Sequence, residues 1–260
     1  MKLMKSIIKY SVAVISIIGL IIAVPASKAI YDTRGRTVLE FDITQNRELI
    51  YFSDYGEPPQ FAIWLNDTKT GKYHTVFVTH RAATGDWVGK TEIPAVLPLW
   101  YEIHKTESGR EGLPTYNDPA IIAITGATPQ QDHFKIRVEV EPKSEWDCYI
   151  EVNLAGDFNQ YYREYGDMGE IIDEYADGQP AVVYKAGINA EVGHNVVPEL
   201  VGISVLGNLP GKETVQPITE KITTAHEIFC DIKIKVIRPK PAILKWKYAK
   251  IGKIDFNDAM

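Results

Sequence analysis

Cysteine is scarce in this chain, with only two among 260 residues, and that number excludes a scaffold held together by several disulfide bonds. Cys148 and Cys230 each lie in a segment where apolar residues alternate with polar ones. The alternation predicts that both sulfur atoms face the core side of a β-strand. Two outcomes stay open: a disulfide bond between Cys148 and Cys230, which an oxidising compartment permits, or two separate thiols.

Acidic residues are missing from residues 1–31. Three lysines precede an apolar run over residues 10–24, and Ser27 and Ala29 occupy the positions that a signal peptidase reads. Residues 1–29 are therefore predicted to be a signal peptide. Because the apolar stretch approaches the ~18 residues that cross a bilayer, an uncleaved membrane anchor is the alternative. Both predict an extracytoplasmic protein, in the periplasm or on the outer face of the cytoplasmic membrane.

Positive charge is in deficit, with 28 basic against 34 acidic residues and a formal net charge of −6. Removal of residues 1–29 would take away four lysines and no acid, leaving 24 basic and 34 acidic residues and a net charge of −10. An acidic surface repels phosphate backbones and anionic lipids. The composition thus argues against nucleic acid as a partner, and it predicts membrane contact only through an uncleaved N-terminal segment.

The usual catalytic and metal-binding motifs are also missing. The chain has no His-Glu-x-x-His run, no Gly-x-Ser-x-Gly elbow, no phosphate-binding loop and no Cys-x-x-Cys pair. Its six histidines lack the close spacing of a chelating pair. The sequence therefore predicts a protein that is not an enzyme, with no metal site and, in the first interpretation, no cofactor.

Short strand-like segments are frequent, whereas helical periodicity is weak. Residues 60–65 and 73–79 flank a polar connector rich in turn-forming residues, which predicts a β-hairpin. Residues 133–141 alternate strictly between apolar and charged side chains. After a short turn comes a further strand pattern at 146–154, so these two segments are also predicted to pair.

Many short strands separated by turns predict an all-β fold, specifically an antiparallel β-sandwich of the immunoglobulin or fibronectin kind. Long loop insertions and one or two short helices, at 95–105 and 170–175, would complete it. The predicted organisation is a single domain over residues 30–260, preceded by the N-terminal signal or anchor helix.

One part of the chain resembles a known family. The likeness is carried by residues 58–67, 71–79, Trp87, 97–100, 124–129, 149–153, 157–159 and 161–162. Taken in order, these segments are similar to the predicted periplasmic proteins called domain-of-unknown-function family 2271, roughly over residues 57–186. The resemblance implies a small extracytoplasmic β-sandwich linked with envelope redox systems. It leaves residues 187–260 as C-terminal strands outside the matched portion.

A second likeness concerns Thr125, Gly126, Ala127 and Thr128, which look like the acceptor site at which some exported redox proteins carry FMN on a threonine. That acceptor pattern begins with an aspartate, and Ile122 stands in its place here. The likeness implies an alternative function, an electron-transfer protein with FMN esterified to the Thr128 hydroxyl and with Thr125 and Gly126 in the cofactor site. A tight turn before the next strand is the other interpretation.

Four aromatic residues, Trp87, Trp100, Tyr161 and Tyr162, are candidates for a binding face, because large aromatic side chains combine apolar area with a polar group. Packing of these side chains under the long loops is the other interpretation. The first functional interpretation is an exported, non-enzymatic binding or accessory protein of the cell envelope. Its partner would be an envelope protein or a small ligand, and it would serve a membrane redox or metal-handling system. A carbohydrate-binding module that uses Trp87, Tyr161 and Tyr162 is the second alternative.

Overall fold

A computed structural model describes Ile15, Gly19 and residues 23–31, 33–89, 92–93, 95–120, 125–126, 129, 131–205, 215–239 and 249–250. Among these residues, no helix is both long enough and apolar enough to cross a membrane. Most of the predicted signal or anchor segment lies outside the described residues, so its role stays a prediction.

The described residues form twelve strands, three short α-helices after residue 36, a 3₁₀-helix at Ala225–Glu227 and a further helical stretch at residues 23–31. The strands are β1 (Thr37–Gln45), β2 (Gln60–Asp67), β3 (Tyr73–Thr79), β4 (Thr125–Gly126), β5 (His133–Val140), β6 (Glu145–Asn153), β7 (Val182–Asn189), β8 (Asn195–Val196), β9 (Glu199–Ser204), β10 (Val215–Gln216), β11 (Phe229–Ile237) and β12 (Ala249–Lys250). The helices are α1 (Arg47–Phe52), α2 (His80–Thr84) and α3 (Pro98–Ser108). The prediction of a mostly β protein with few short helices is confirmed.

Helix α3 lies where the sequence predicted a helix at 95–105, but it begins at Pro98. Proline is favoured at the first helical position because its fixed φ suits the helix and its missing N–H needs no partner there. The helix ends at Gly109, whose φ of 68° gives the left-handed conformation of a common C-terminal cap. The second predicted helix, at 170–175, is wrong, because those residues form a β-bridge and turns.

The strands belong to two sheets. The first has the order β12-β5-β1-β11-β8, and the second has the order β10-β9-β7-β6-β2-β3-β4. Pairs between the long strands are antiparallel. The two-residue strands β4 and β12 each add a short parallel pair at an edge of the described sheets.

One predicted strand pair is confirmed and the other is wrong. The hairpin of β2 and β3 forms, with Ala62 opposite Val78. In contrast, β5 and β6 belong to different sheets: β5 pairs with β1, while β6 pairs with β2 and β7. Alternation of apolar residues tells which face of a strand is buried, but it does not tell which strand lies beside it.

The facing sides of the two sheets share one apolar core. Residues of β5 alternate between exposed and buried, and the buried Phe134 meets Phe61 of β2 with ring centroids 5.5 Å apart. The Phe61 ring also lies 5.5 Å from that of Phe229 in β11. Since burial of one such side chain contributes about 1.5–3 kcal/mol, these contacts join the two sheets firmly.

The outer side of the second sheet is covered as well. Six consecutive residues of β2, from Gln60 to Leu65, are buried, as happens when both faces of a strand are packed. Trp64 stacks on Tyr149 of β6 with centroids 5.5 Å apart, and it belongs to a second apolar cluster, which we call the outer core. Helices α2 and α3 close this outer core and contribute Ala82, Ala83, Trp100, Tyr101 and Ile103.

The two cysteines are free thiols, so no bridge joins them. Cys148 is fully buried, as predicted. Cys230 is exposed, and the prediction that it faces the core is wrong. The reason is a β-bulge: the pairing of β11 with β1 includes Phe229 and Asp231 but skips Cys230, and this extra residue interrupts the alternation.

This difference predicts that the two thiols react at different rates. Iodoacetamide should add one group to the folded protein, at Cys230, and a second group at Cys148 only after denaturation. Burial raises the pKa of the Cys148 thiol, so both access and thiolate formation are suppressed there. Intact mass followed by peptide mapping measures the result, with Cys230→Ser as the control that takes up no label while folded. Rapid labelling of Cys148 in the folded chain would contradict this burial.

Candidate functional site

The predicted binding face divides into two parts. Trp87 and Trp100 belong to the outer core, with exposed fractions of 9% and 0%, so their assignment to a binding face is wrong. Both are buried because α2, α3 and their connecting segment cover the outer side of the second sheet. Tyr161, with an exposed fraction of 47%, and the half-buried Tyr162 instead line a cleft.

The cleft has a volume of about 520 Å³ and lies at one end of the second sheet. Because β6, β7 and β9 are antiparallel neighbours, the end of β6, the start of β7 and the end of β9 meet there. The loop at 154–181 supplies most of the lining, and Ala95, Val96 and Pro98, at the start of α3, supply another part. The volume falls within the range of ~300–1,000 Å³ typical of small-molecule sites. Its polar and aromatic lining includes Asn153, Tyr161, Tyr162, Arg163, Asp173, Glu174, Tyr175, Asp177 and Ser204.

Gln179 holds both ends of this loop in place from inside the protein. Its Nε2 donates to Asp157 Oδ2 at 2.9 Å, and its Oε1 accepts from the Thr223 backbone N–H at 2.7 Å. The Thr224 hydroxyl donates to Asp157 Oδ1 at 2.7 Å. Burial raises the pKa of Asp157, and the hydrogen bonds from Thr224 and Gln179 act against that rise. A buried network with these partners rigidifies the loop, so the cleft is formed before any ligand arrives.

Gly178 permits the close approach on which this network depends. Its backbone bridges to that of Asp157, and its φ of 72° is in the left-handed region. A Cβ atom at this position would lie 2.8 Å from the Asp157 carbonyl oxygen. Glycine is therefore the residue that fits here.

Asn159 sets the position of the two tyrosines. Its Oδ1 accepts hydrogen bonds from the backbone N–H groups of Tyr161 at 2.8 Å and Tyr162 at 2.9 Å. Its Nδ2 donates to the Lys221 carbonyl oxygen at 2.9 Å. An asparagine side chain that bonds to backbone two and three residues later is a common turn device. Here it ties the start of the loop to the segment before β11.

Carboxyl groups outnumber cationic groups in the cleft. Asp173, Glu174 and Asp177 line it, together with one guanidinium, that of Arg163. Arg163 Nη1 lies 2.7 Å from Asp167 Oδ1, so the carboxylate of Asp167 already offsets its charge. Burial, together with the negative charge of Asp173, raises the pKa of Asp177 to about 7. No cationic group or hydrogen-bond donor among the described residues compensates the Asp177 carboxyl.

Glu151 lies next to the cleft, under the first turn of α3. Its Oε1 accepts from the Leu99 backbone N–H at 3.0 Å and from the Ser204 hydroxyl, and its Oε2 accepts from the Trp100 backbone N–H at 2.7 Å. Leu97 at the N-terminal cap position has no side-chain acceptor, so this carboxyl from β6 serves as the cap. Burial raises the pKa of Glu151 to about 7 although these hydrogen bonds act to lower it.

Asn153 is the polar side chain of the lining that lacks a complete set of partners. It has an exposed fraction of 3%, and its Nδ2 donates to the Gln179 carbonyl oxygen at 3.3 Å. Its Oδ1 is buried and has no hydrogen-bond donor within the described part of the chain. An unsatisfied buried acceptor costs about 1–3 kcal/mol, and this oxygen has too little accessible surface to be reached from the cleft. The aromatic faces and carboxyl groups that line the cleft are suited to binding a small polar molecule.

The sequence alone does not indicate that Glu151, Asn153 and Asp177 lie at the site. Glu151 and Asn153 alternate with apolar residues in β6, a pattern that usually places polar side chains in solvent. The uninterrupted apolar run of the paired strand β2 was the available sign that both faces of this sheet are covered. Asp177 belongs to an acidic stretch of the kind that usually forms a solvated surface. Asp177 becomes part of the cleft because the loop at 154–181 leads back to the sheet at the start of β7.

The residues predicted for flavin attachment are described only in part. Thr125 and Gly126 form β4, with Thr125 opposite Val78 of β3. Thr128 lies outside the described residues, so flavin attachment stays a prediction. Within the described ranges, no group of three or more His, Cys, Asp or Glu side chains is placed to hold a metal ion.

Comparison of the chain with protein-family models, with curated proteins and with solved structures found no match. The resemblance over residues 57–186 therefore remains a prediction from sequence.

Proposed function

We propose that this chain is an exported β-sandwich protein of the cell envelope that binds a small ligand in the cleft and does not transform it. The observation that carries the proposal is the cleft itself. Its volume of about 520 Å³ and its lining of tyrosines and carboxyl groups are the features of a small-molecule binding site. The extracytoplasmic location rests on the lysine-led apolar N-terminus.

The β-sandwich assignment is supported by the shared core. Leu39, Phe41 and Ile43 of β1 and Phe61 and Ile63 of β2 come from different sheets and belong to one buried cluster. Two sheets that bury their inner faces against each other are the defining arrangement of a sandwich.

A single domain is the organisation that the strand order supports. Strand β1 pairs with β11 on one side and β5 on the other. Four of the five described strands of the first sheet, β1, β8, β11 and β12, lie outside residues 57–186, so the portion that resembles the family contributes β5 alone to that sheet. We therefore keep residues 30–260 as one proposed domain.

The surroundings of Ser204 favour binding over catalysis. Ser204 is the serine in the described lining of the cleft, and its hydroxyl is the group that would have to act as a nucleophile. Its hydroxyl donates to Glu151, and its exposed fraction is 1%. A nucleophile needs a neighbouring base and access to substrate. Ser204 instead completes the cap of α3, which is a structural role.

Thermal unfolding in the presence of candidate ligands tests the proposal. The full chain is recovered from the envelope of an expression host and mixed in turn with monosaccharides, amines and carboxylic acids. At least one compound should raise the Tm, because a ligand at 100 times its Kd adds about 2.7 kcal/mol to the stability of the folded state. The rise should be lost in Tyr161→Ala, which removes an aromatic face of the cleft.

Tyr165→Ala is the matched control for this experiment. Tyr165 lies in the same loop and is similarly exposed, at 49% against 47% for Tyr161, but it does not line the cleft. The control should respond to the ligand as the unaltered chain does. Equal responses of both variants, or no response of the unaltered chain to any compound, would count against a ligand cleft. An FMN-sized adduct on Thr128 in the intact mass would instead support the electron carrier.

A further inference from the structure

The loop that lines the cleft contains a hairpin, residues 163–174, whose backbone is held by its own hydrogen bonds. Tyr165 and Ile171 pair through an antiparallel β-bridge. Within this bridge, the Gly166 N–H donates to the Glu170 carbonyl oxygen at 2.8 Å. Residues directly opposite each other in an antiparallel pair place their side chains on the same face, so Tyr165 and Ile171 lie side by side.

This hairpin holds large apolar side chains in solvent. Met168, at the turn, has an exposed fraction of 92%, and the fractions for Ile171 and Tyr165 are 65% and 49%. None of the three is in the lining of the cleft. Exposed apolar side chains that lie together mark surfaces at which proteins meet partners, whereas isolated ones are ordinary. Methionine is common at such surfaces because its unbranched, polarisable side chain adapts to the shape of a partner.

The same hairpin concentrates negative charge. Residues 163–174 contain five acidic residues and one basic residue, a formal net charge of −4, where the whole chain has −6. Two of the carboxylates lie at the turn. The Met168 N–H donates to Glu170 Oε2 at 3.1 Å, and Asp167 Oδ1 lies 2.7 Å from Arg163 Nη1. Carboxylates therefore border the apolar surface, and a complementary partner carries positive charge at its own border.

This charge decides which partner fits. A lipid bilayer that took up Met168 would also draw Asp167 and Glu170 towards its headgroups, and an anionic membrane surface repels them. A second copy of this chain that used the same hairpin would set two surfaces of like charge against each other, which opposes association. A protein surface that combines apolar side chains with lysine or arginine matches both features of the hairpin.

We propose that Tyr165, Met168 and Ile171 form a docking surface for a basic amphipathic segment of another protein. The apolar side chains of that segment pack on these three residues, while its lysines or arginines pair with the carboxylates of Asp167 and Glu170. The docking surface lies beside the cleft and is separate from the small-ligand function proposed above.

Three synthetic peptides of equal length, about 14 residues or four helical turns, test the proposal. The first places leucine on one helical face and lysine on the other. The second has glutamate in place of lysine, and the third has serine in place of leucine. Each carries a fluorescent dye, whose anisotropy is measured as the full chain is added. The lysine–leucine peptide should bind at least about 10-fold more tightly than either of the others, because only it has both the charge and the apolar face.

Met168→Gln combined with Ile171→Gln should weaken binding of the lysine–leucine peptide at least about 10-fold, because the apolar contact is lost while every charge is kept. Both side chains lie in solvent, so the folded protein should keep its stability. Val88→Gln combined with Val197→Gln is the matched control, since these apolar residues are similarly exposed, at 90% and 64%, and lie outside the loop of the cleft. It should leave the affinity unaltered.

Several results would overturn the inference. Absence of binding by the lysine–leucine peptide, or equal binding by either of the other two, would show that the surface does not select a basic amphipathic segment. Equal affinities of the two double variants would place the contact elsewhere on the acidic protein. Sedimentation of the unaltered chain with vesicles of phosphatidylcholine and phosphatidylglycerol, lost in the Met168→Gln and Ile171→Gln variant, would assign the surface to a membrane.

Discussion

Trp100→Ala is expected to lower the free energy of unfolding by about 3–5 kcal/mol, the range for deleting a large aromatic side chain from a core. The indole is completely buried, stacks on His104 with centroids 5.3 Å apart and donates from Nε1 to Thr75 Oγ1 at 3.2 Å. Alanine would leave a cavity beneath α3 and remove the donor. Urea unfolding followed by circular dichroism measures the loss.

Tyr161→Ala is the control for Trp100→Ala. Tyr161 was predicted to share a binding face with Trp100, but it is half-exposed and should change the free energy of unfolding by no more than about 0.5 kcal/mol. A Trp100→Ala protein as stable as the unaltered chain would restore the binding-face interpretation of Trp100. Similar large losses in both variants would show that the loop carrying Tyr161 is part of the core.

Relative to the unaltered chain, Glu151→Gln is expected to gain about 2.5 kcal/mol in its free energy of unfolding as the pH rises from about 5 to about 8. Burial raises the pKa of Glu151 from its ordinary value of 4.5 to about 7 in the folded protein. The folded state therefore holds this proton more tightly than the unfolded state does. Its contribution to stability is fully present below about pH 4.5, and it is lost as the pH rises through 7.

Glutamine resembles the protonated acid, so the difference between the two proteins should be smallest at the lower pH. Free energies of unfolding from urea titrations at both pH values supply the measurement, and Glu145→Gln, at the exposed start of the same strand, should differ from the unaltered chain equally at both. A difference that does not change with pH would mean that the N–H groups of Leu99 and Trp100 keep Glu151 ionised throughout.

Much of the secondary structure could be predicted because its signals are local. The apolar residues of β5 recur at every second position, and Phe134, Ile136, Val138 and Val140 are the buried ones. The hairpin of β2 and β3 was predicted because its two strands and their polar connector are contiguous. Neither prediction required knowledge of distant residues.

Predictions about which distant segments meet were less successful. The pairing of β5 with β6 followed from their closeness in sequence, yet the chain crosses from one sheet to the other between them. The alternation in β11 placed Cys230 in the core, and a single extra residue opposite β1 moved it to the surface. In both cases the deciding partner is β1, which lies about ninety residues or more away along the chain.

For the candidate site, the sequence identified Tyr161 and Tyr162 and missed the polar groups. Asp177 is close to both tyrosines along the chain, but its acidic neighbours made it look like part of a solvated surface. Asn153 and Glu151 showed no sign of burial within β6 alone. Their surroundings depend on α3 and on the end of β9, which are remote in sequence.

By itself, the amino-acid sequence determined the mostly β character of this protein, the apolar faces of its strands, its acidic surface and the tyrosines of the loop, since each follows from composition or from local periodicity. Only the tertiary structure decided that Trp87 and Trp100 are core residues, that Cys148 and Cys230 stay apart, and that Asn153 and Asp177 share a cleft. The physical reason is that burial depends on which surfaces pack together. That choice is made by the free energy of the whole chain and not by any one segment.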